Sequence, residues 1–162
     1  MTWARAGVIA AAGLVLTAGL LTLTWRAPAV DGGGTPAAEA PGLLDPQKGR
    51  WGGHSVDAAT GFTLSARVTP VVGRDDLFEM RIRVHAPAGY EADGAPVVFH
   101  LHPSFTPPVV RTELRKGEAE LIRRGWSAFT VGAVVEPRNA APVHLELDLA
   151  ELSDAPRRFR ER

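Results

Sequence analysis

From about Trp51 onward, apolar and polar residues alternate with a period of two. Successive side chains of a β-strand point to opposite faces of a sheet, so each row places its apolar side chains on one face. The apolar members of four such rows are Phe62, Leu64, Ala66 and Val68; Phe78, Met80, Ile82 and Val84; Phe129, Val131, Ala133 and Val135; and Val143, Leu145, Leu147 and Leu149. Each row predicts a half-buried strand, and in the last row His144, Glu146 and Asp148 take the polar side.

The segments around these rows complete the prediction of the fold class. Residues 97–101 are more continuously apolar, which is typical of a central strand, whereas residues 118–124 fit a helical turn or a strand equally well. Polar turn signals containing glycine, proline or aspartate separate the short rows. The sequence therefore predicts an all-β antiparallel sandwich, and roughly 110 residues are enough to bury a modest core.

The composition excludes several classes of protein. The 162 residues include 18 acidic and 18 basic side chains, so the chain lacks the excess positive charge of a dedicated nucleic-acid binder. We expect no nucleic-acid partner. The chain contains no cysteine, which excludes a disulfide scaffold, a cysteine-ligated zinc site and a thiol nucleophile.

The N-terminal region has the features of a membrane anchor. Residues 6–25 contain no charged side chain, and a helix of this length spans roughly 30 Å, the thickness of a bilayer hydrocarbon core. Arg5 and Arg26 bracket the run, and Trp3 and Trp25 stand where interfacial aromatic residues are expected. The pattern predicts a single-pass transmembrane helix, with the membrane as a partner through residues 6–25.

Three regions follow from this interpretation. Residues 1–26 form the anchor, residues 27–48 are rich in proline and glycine and form a flexible linker, and residues 49–162 form the β-sandwich. The alternative for the first region is a signal peptide. Residues 27–29 read Ala-Pro-Ala, the small-x-small form of a cleavage site, and cleavage would yield a secreted protein.

The histidine pair His100 and His102 is the most suggestive feature for a metal site. Positions i and i+2 of a strand share a face, so both imidazoles could reach one ion, with His144 as a third ligand. However, Thr106 and Pro107 stand where a cupin-like half-motif would place a carboxylate. The alternative is structural histidines on a half-exposed strand. We therefore predict no metal and no cofactor.

Signals for catalysis are equally weak. Ser104, His102 and Asp148 are the residue types of a hydrolytic triad, but no nucleophile elbow surrounds the serine. No glycine-rich loop of the kind that cradles phosphate occurs either. Ser104 lies in a proline-rich turn, which displays a side chain without activating it. We predict no catalytic residue and no enzyme activity. The last six residues carry four arginines and predict a solvated tail.

Residues 97–105, which read VVFHLHPSF, resemble the signature strand and loop of YEATS domains. In those domains a V-x-F-x-L-H-x-S-F run is followed by a glycine–aromatic pair and a phenylalanine, and Gly125, Trp126 and Phe129 stand at those places. Residues 49–162 are closer still to the prokaryotic group, pYEATS. The matching segments are GRWGG at 49–53, WSAFTVGA at 126–133, LELDLAEL at 145–152, and Ala155-Pro156 with Phe159-Arg160.

The resemblance implies an immunoglobulin-like β-sandwich and a non-enzymatic binding module. Eukaryotic relatives bind acylated lysine, with an aromatic pair around the flat acyl group, a serine hydroxyl on its amide, and a histidine that braces the loop. By position, Phe105 and Trp126 would be the walls, Ser104 the hydroxyl and His102 the brace. The loop at residues 73–77 lacks the further aromatic residue that those readers carry, which implies a shallower pocket or a different ligand.

We therefore expect a membrane-anchored module that binds an acylated lysine or another small planar ligand. The gene contexts of bacterial members further imply a sensing role in a conflict or immunity system, with an effector protein as a partner. Two alternatives stay open. Phe105 and Trp126 could be core residues at the end of the sandwich, or the domain could be a structural module that docks a partner protein through a sheet face, with no ligand pocket.

Overall fold

The computed structural model describes residues 45–90 and 94–162. The predicted anchor and residues 27–44 of the predicted linker lie outside the described residues. Among the residues that the structure describes, no helix is long and apolar enough to cross a membrane. The membrane anchor, its signal-peptide alternative and the boundaries of the three regions therefore stay predictions.

Seven antiparallel strands form two sheets in the described part of the chain. The order of strands is β1-β2-β5 in the first sheet and β4-β3-β6-β7 in the second. A 3-10 turn at Leu149–Glu151 and a one-turn helix, α1, at Arg157–Arg160 follow the last strand. The strands are β1 (Thr63–Val71), β2 (Arg74–His85), β3 (Pro96–His100), β4 (Val109–Glu113), β5 (Glu118–Gly125), β6 (Thr130–Val135) and β7 (Val143–Asp148).

The apolar rows form one core between the two sheets, as the alternation predicts. In β2, Met80, Ile82 and Val84 are fully buried, and the inward-facing apolar residues of β3, β6 and β7 belong to the same cluster. The predicted all-β two-sheet antiparallel sandwich is therefore confirmed. Strand β3 lies between β4 and β6, as predicted for residues 97–101, and residues 118–124 prove to be strand rather than helix.

The outer face of the second sheet is covered by residues 45–53, which we call the strap. The indole of Trp51 lies over Gly132 of β6, where an added Cβ would overlap the ring. Its ring centroid is 4.0 Å from that of His100 on β3 and 6.0 Å from that of His144 on β7, and both pairs are stacked. Burial here, and secondarily the charge of His144, lowers the pKa of His100 below its usual value.

Glu146 holds the strap in place from β7. Its carboxylate accepts hydrogen bonds from the backbone N–H groups of Gly49 (2.7 Å), Trp51 (2.8 Å) and, at longer range, Gly53 (3.4 Å). Gly49 and Gly53 have positive φ, a conformation that glycine adopts without strain and that lets neighbouring N–H groups converge on one anion. Glu146 is only 7% exposed, although it lies on the polar side of the row that the alternation defines.

Candidate functional site

One cavity of about 700 Å³ lies at the end of the sandwich where β3 finishes and β6 begins. The loop from β3 to β4 and the loop from β5 to β6 form its walls. His102, Ser104, Phe105 and Trp126, the four residues predicted from the sequence, all line this end cavity. The structure thus brings them together, while their role in binding stays a prediction. The other lining residues are Thr106, Arg124, Gly125, Ser127, Ala128, Phe129 and Arg162.

In the loop after β3, the imidazole of His102 lies against Ser104. Nδ1 of His102 accepts a hydrogen bond from the backbone N–H of Ser104 (3.2 Å) and lies 2.9 Å from the Ser104 hydroxyl. An imidazole nitrogen that accepts from a backbone N–H carries no proton, so the hydroxyl must donate to it. The lone pairs of Ser104 Oγ are therefore available to a donor from outside the loop.

The two predicted aromatic walls differ in their packing. Phe105 is partly buried and packs against the buried ring of Phe129, with centroids 5.1 Å apart and planes inclined by 48°. Trp126 is 60% exposed although it is the largest apolar side chain of the cavity. The alternative of core packing therefore holds in part for Phe105 and not for Trp126. An exposed aromatic ring in a concave site is typical of a binding surface.

Gly125 has a steric reason to precede Trp126. A Cβ at this position would lie 3.0 Å from Met80 Cε and 3.4 Å from Phe105 Cζ. The absence of a side chain lets Phe105 approach the end of β5 while Met80 stays in the core. The glycine–aromatic pair noted in the sequence thus has a local explanation. Gly125 leaves room for the ring of Phe105, and the next residue, Trp126, lines the cavity.

The two strands that enter the end cavity are also tied to the strap. The Asp45 carboxylate accepts from the backbone N–H (2.9 Å) and the hydroxyl (2.6 Å) of Thr130, the residue after Phe129. Gln47 Nε2 donates to the carbonyl oxygen of Leu101 (3.1 Å), the residue before His102. Residues 45–48, which we assigned to the linker, therefore contact the sandwich and support two walls of the cavity from behind.

The C-terminal segment reaches the cavity through α1. Phe159 is fully buried, its ring lies 5.3 Å from that of Phe78, and its carbonyl oxygen accepts from the backbone N–H of Ala128 (2.9 Å). This packing places Arg162 on the cavity lining. The prediction of a solvated tail was therefore wrong for Phe159, and it missed Arg162. The sequence offered no local signal for this, because the contact depends on residues about eighty positions apart in the chain.

The geometry separates the residues considered for metal or hydrolytic chemistry. His100 lies under Trp51 on the outer face, whereas His102 faces Ser104 in the loop. The Asp148 carboxylate accepts from the backbone N–H of Ala150 (2.8 Å) and from Lys48 Nζ (2.9 Å), so it is bonded elsewhere. Within residues 45–90 and 94–162, no group of three histidine or acidic side chains could hold a metal ion.

Comparisons with known proteins give one matching protein family and several similar solved structures. Residues 78–150 match the family model described as the prokaryotic YEATS domain, pYEATS. The structure of the Yeats domain of Yaf9 is 20% identical, with 57% of this chain and 72% of that chain covered and a TM-score of 0.42. The Yaf9 YEATS domain recognising an H3K122suc peptide is 22% identical, with 54% and 68% covered and a TM-score of 0.41. The Yaf9 YEATS domain bound to H3K27ac is 21% identical, with the same coverage and TM-score.

No curated protein matches this chain. The family model matches from β2 to the 3-10 turn, which includes the loops that carry all four predicted site residues. The resemblance predicted from the motifs at residues 97–105 and 126–133 is therefore confirmed, since residues 78–150 of this chain match the prokaryotic YEATS domain.

Proposed function

We propose that this protein is a non-enzymatic binding module whose end cavity holds an acylated lysine or another small planar ligand. The observation that carries the proposal is the exposed ring of Trp126 beside the braced hydroxyl of Ser104 in one cavity. In this proposal residues 6–25 anchor the module in a membrane, and the module serves as a sensor in a bacterial conflict or immunity system.

The chemistry of the cavity suits a planar amide. An aromatic face stacks favourably on a flat group, which gives Trp126 and Phe105 their role as walls. The Ser104 hydroxyl donates to His102, so its oxygen accepts from the amide N–H of the ligand. The backbone N–H of Trp126 would donate to the acyl carbonyl. Acylation also removes the charge of lysine, and with it the cost of desolvating a buried ammonium.

Peptide binding by the full chain in detergent tests this proposal. Peptides of one sequence, with an acetylated, a crotonylated or an unmodified lysine, are titrated against the wild type and Trp126→Ala. We expect the wild type to bind the acylated peptides in preference to the unmodified one. Loss of the indole should weaken that binding at least about tenfold, as is usual for a central aromatic anchor. Ser104→Ala should weaken it about fivefold, because it removes one hydrogen bond.

Ile122→Ala is the matched control, because Ile122 is an exposed apolar residue outside the cavity. It should leave the affinity unchanged, and thermal unfolding of all variants should match the wild type. Equal affinity of Trp126→Ala and the wild type would contradict the proposed site. If no acylated peptide bound while a partner protein bound all variants equally, the structural docking alternative would be favoured instead.

A further inference from the structure

Strand β5 forms an outer edge of the first sheet. In the order β1-β2-β5 it has one neighbour among the described strands, and the backbone groups on its other side can accept a further strand. We propose that β5 pairs antiparallel with β5 of a second copy of this chain, so that the two three-stranded sheets join into one continuous sheet. This inference does not depend on the function of the end cavity.

The backbone contacts at the start of β5 show which residues face the open edge. The carbonyl oxygen of Gly117 accepts from the backbone N–H of the first residue after β2 (2.8 Å). The N–H and carbonyl groups of Glu118 instead bond to Arg115, on the other side of the strand (3.1 and 2.8 Å). Successive residues of a strand direct these groups to alternate sides. The later residues whose backbone groups point away from β2 are therefore Glu120, Ile122 and Arg124.

The ends of the open edge determine how two copies would pair. Arg115 takes the edge at the start of β5, and the strand ends at Gly125, so the open part between them is centred on Ile122. Two identical strands that run antiparallel about this centre place Ile122 opposite its own copy. Glu120 then lies opposite Arg124 of the second copy, and the same pair recurs on the other side of the centre.

The side chains on the outer face are complementary in this register. Ile122 is 41% exposed and would pack against its own copy, between two pairs of opposite charge. Arg124 is 62% exposed and contacts Glu79 at 3.3 Å through one nitrogen, so other donors of its guanidinium stay available. Glu120 accepts from Arg83 at 2.6 Å, and its carboxylate has lone pairs for a second donor.

In the single chain, Arg123 partly protects this edge. Its Nη1 donates to the carbonyl oxygen of Ile122 (2.9 Å), one of the acceptors that a second strand would use. A charged side chain at a sheet edge is a common protection against uncontrolled strand addition. In the dimer, the backbone N–H of Ile122 from the second copy takes the place of this donor. Because the shared edge is short, the interface is smaller than the ~1,600 Å² of a standard one, and we expect a weak, reversible dimer.

Cysteine cross-linking of the full chain in detergent tests the proposal. The chain contains no cysteine, so Ile122→Cys carries a single thiol, which pairing places opposite its own copy. Residues of a hydrogen-bonded antiparallel pair have Cα atoms about 5.5 Å apart, within the range of a disulfide. Under mild oxidation we expect a disulfide-linked dimer on a non-reducing gel.

Val109→Cys is the matched control, because Val109 is an exposed apolar residue of β4, the edge strand of the second sheet. It is 49% exposed, so random collisions should oxidise it at least as readily as Ile122→Cys. We expect Ile122→Cys to cross-link at least about tenfold faster, because pairing raises the effective concentration of its thiol. Equal rates, or faster cross-linking of Val109→Cys, would overturn the proposal.

Charge variants test the register. Glu120→Arg and Arg124→Glu, each combined with Ile122→Cys, place like charges opposite one another when either variant pairs with itself. A heterodimer of the two variants restores both pairs of opposite charge. In an equal mixture we expect heterodimers to form about fivefold faster than either homodimer, and mass spectrometry distinguishes the three products. A folding defect cannot produce such an excess, and products in statistical proportions would show that β5 does not pair in this register.

Discussion

The outer faces of the two sheets differ in their access to water. On the first sheet, charged side chains meet across the strands in water, as Arg83 of β2 does with Glu120 of β5 at 2.6 Å. On the second sheet, the strap excludes water: Trp51 lies over Gly132, and Glu146 takes the strap's backbone N–H groups. The outer face of the first sheet is solvated and carries ion pairs, whereas the outer face of the second sheet is an extension of the core.

The two faces should therefore respond differently to substitution. The side chains of Arg83 and Glu120 are 35% and 30% exposed, and ion pairs with this access to water contribute little, since screening and lost side-chain entropy offset their attraction. Glu146 is almost fully buried, so its hydrogen bonds cannot be replaced by water. We therefore expect a substitution on the covered face to lower the free energy of unfolding by a few kcal/mol more than a substitution on the solvated face, an effect on the order of a lost buried contact.

The largest effect is expected from Gly132→Val. The added side chain would occupy the place of the Trp51 indole and displace it from His100 and His144. We expect the free energy of unfolding to fall by about 3 kcal/mol, near the lower end for loss of a packed aromatic residue because Trp51 is only partly buried. Urea unfolding followed by circular dichroism measures it.

A second background shows whether Trp51 carries this effect. In a Trp51→Ala chain the space over Gly132 is open, so Gly132→Val should cost less than about 1 kcal/mol there. An equal cost in both backgrounds would mean that Gly132 matters for a reason other than the indole, and the description of the strap as an extension of the core would be wrong.

Glu146→Gln is expected to have the next largest effect. The side chain keeps its shape, but one of its two acceptor oxygens becomes a donor amide that faces the N–H groups of the strap. The free energy of unfolding should fall by about 2 kcal/mol, the cost of leaving buried donors unpaired. Glu120→Gln is the matched control on the solvated face and should cost less than about 0.5 kcal/mol. Equal losses would erase the distinction between the faces.

The alternation was sufficient to predict β1, β2, β6 and β7, because in each of these rows the apolar residues lie in the core, but it did not indicate β4. It placed Glu146 on the correct face, but it could not show that this face is covered. The covering contact joins Gly49 to Glu146, almost one hundred residues away, and leaves no periodic pattern. Residues 118–124 were ambiguous for a related reason: the exposed Ile122 breaks the alternation that Ala119 and Leu121 begin.

Of the residues that line the end cavity, the sequence could also predict only some. His102, Ser104 and Phe105 belong to one short loop, so a resemblance in sequence fixes their relative positions, and Trp126 follows from the second motif. Arg162 could not be found this way. Its place depends on the contact between Phe159 and Phe78, a tertiary packing event that short motifs do not encode.

The smallest effect is expected for the ion pair between Arg83 and Glu120 on the solvated outer face of the first sheet. A double-mutant cycle with Arg83→Met and Glu120→Gln should give a coupling free energy below about 1 kcal/mol, and it should shrink in high salt. Arg83 also lies 3.4 Å from Glu118, and Arg81 lies 3.8 Å from Glu120, so each partner keeps a second contact when the other is removed. A coupling as large as the effect of Gly132→Val would mean that the first sheet also depends on specific contacts on its outer face. Stability would then not distinguish a solvated face from a covered one.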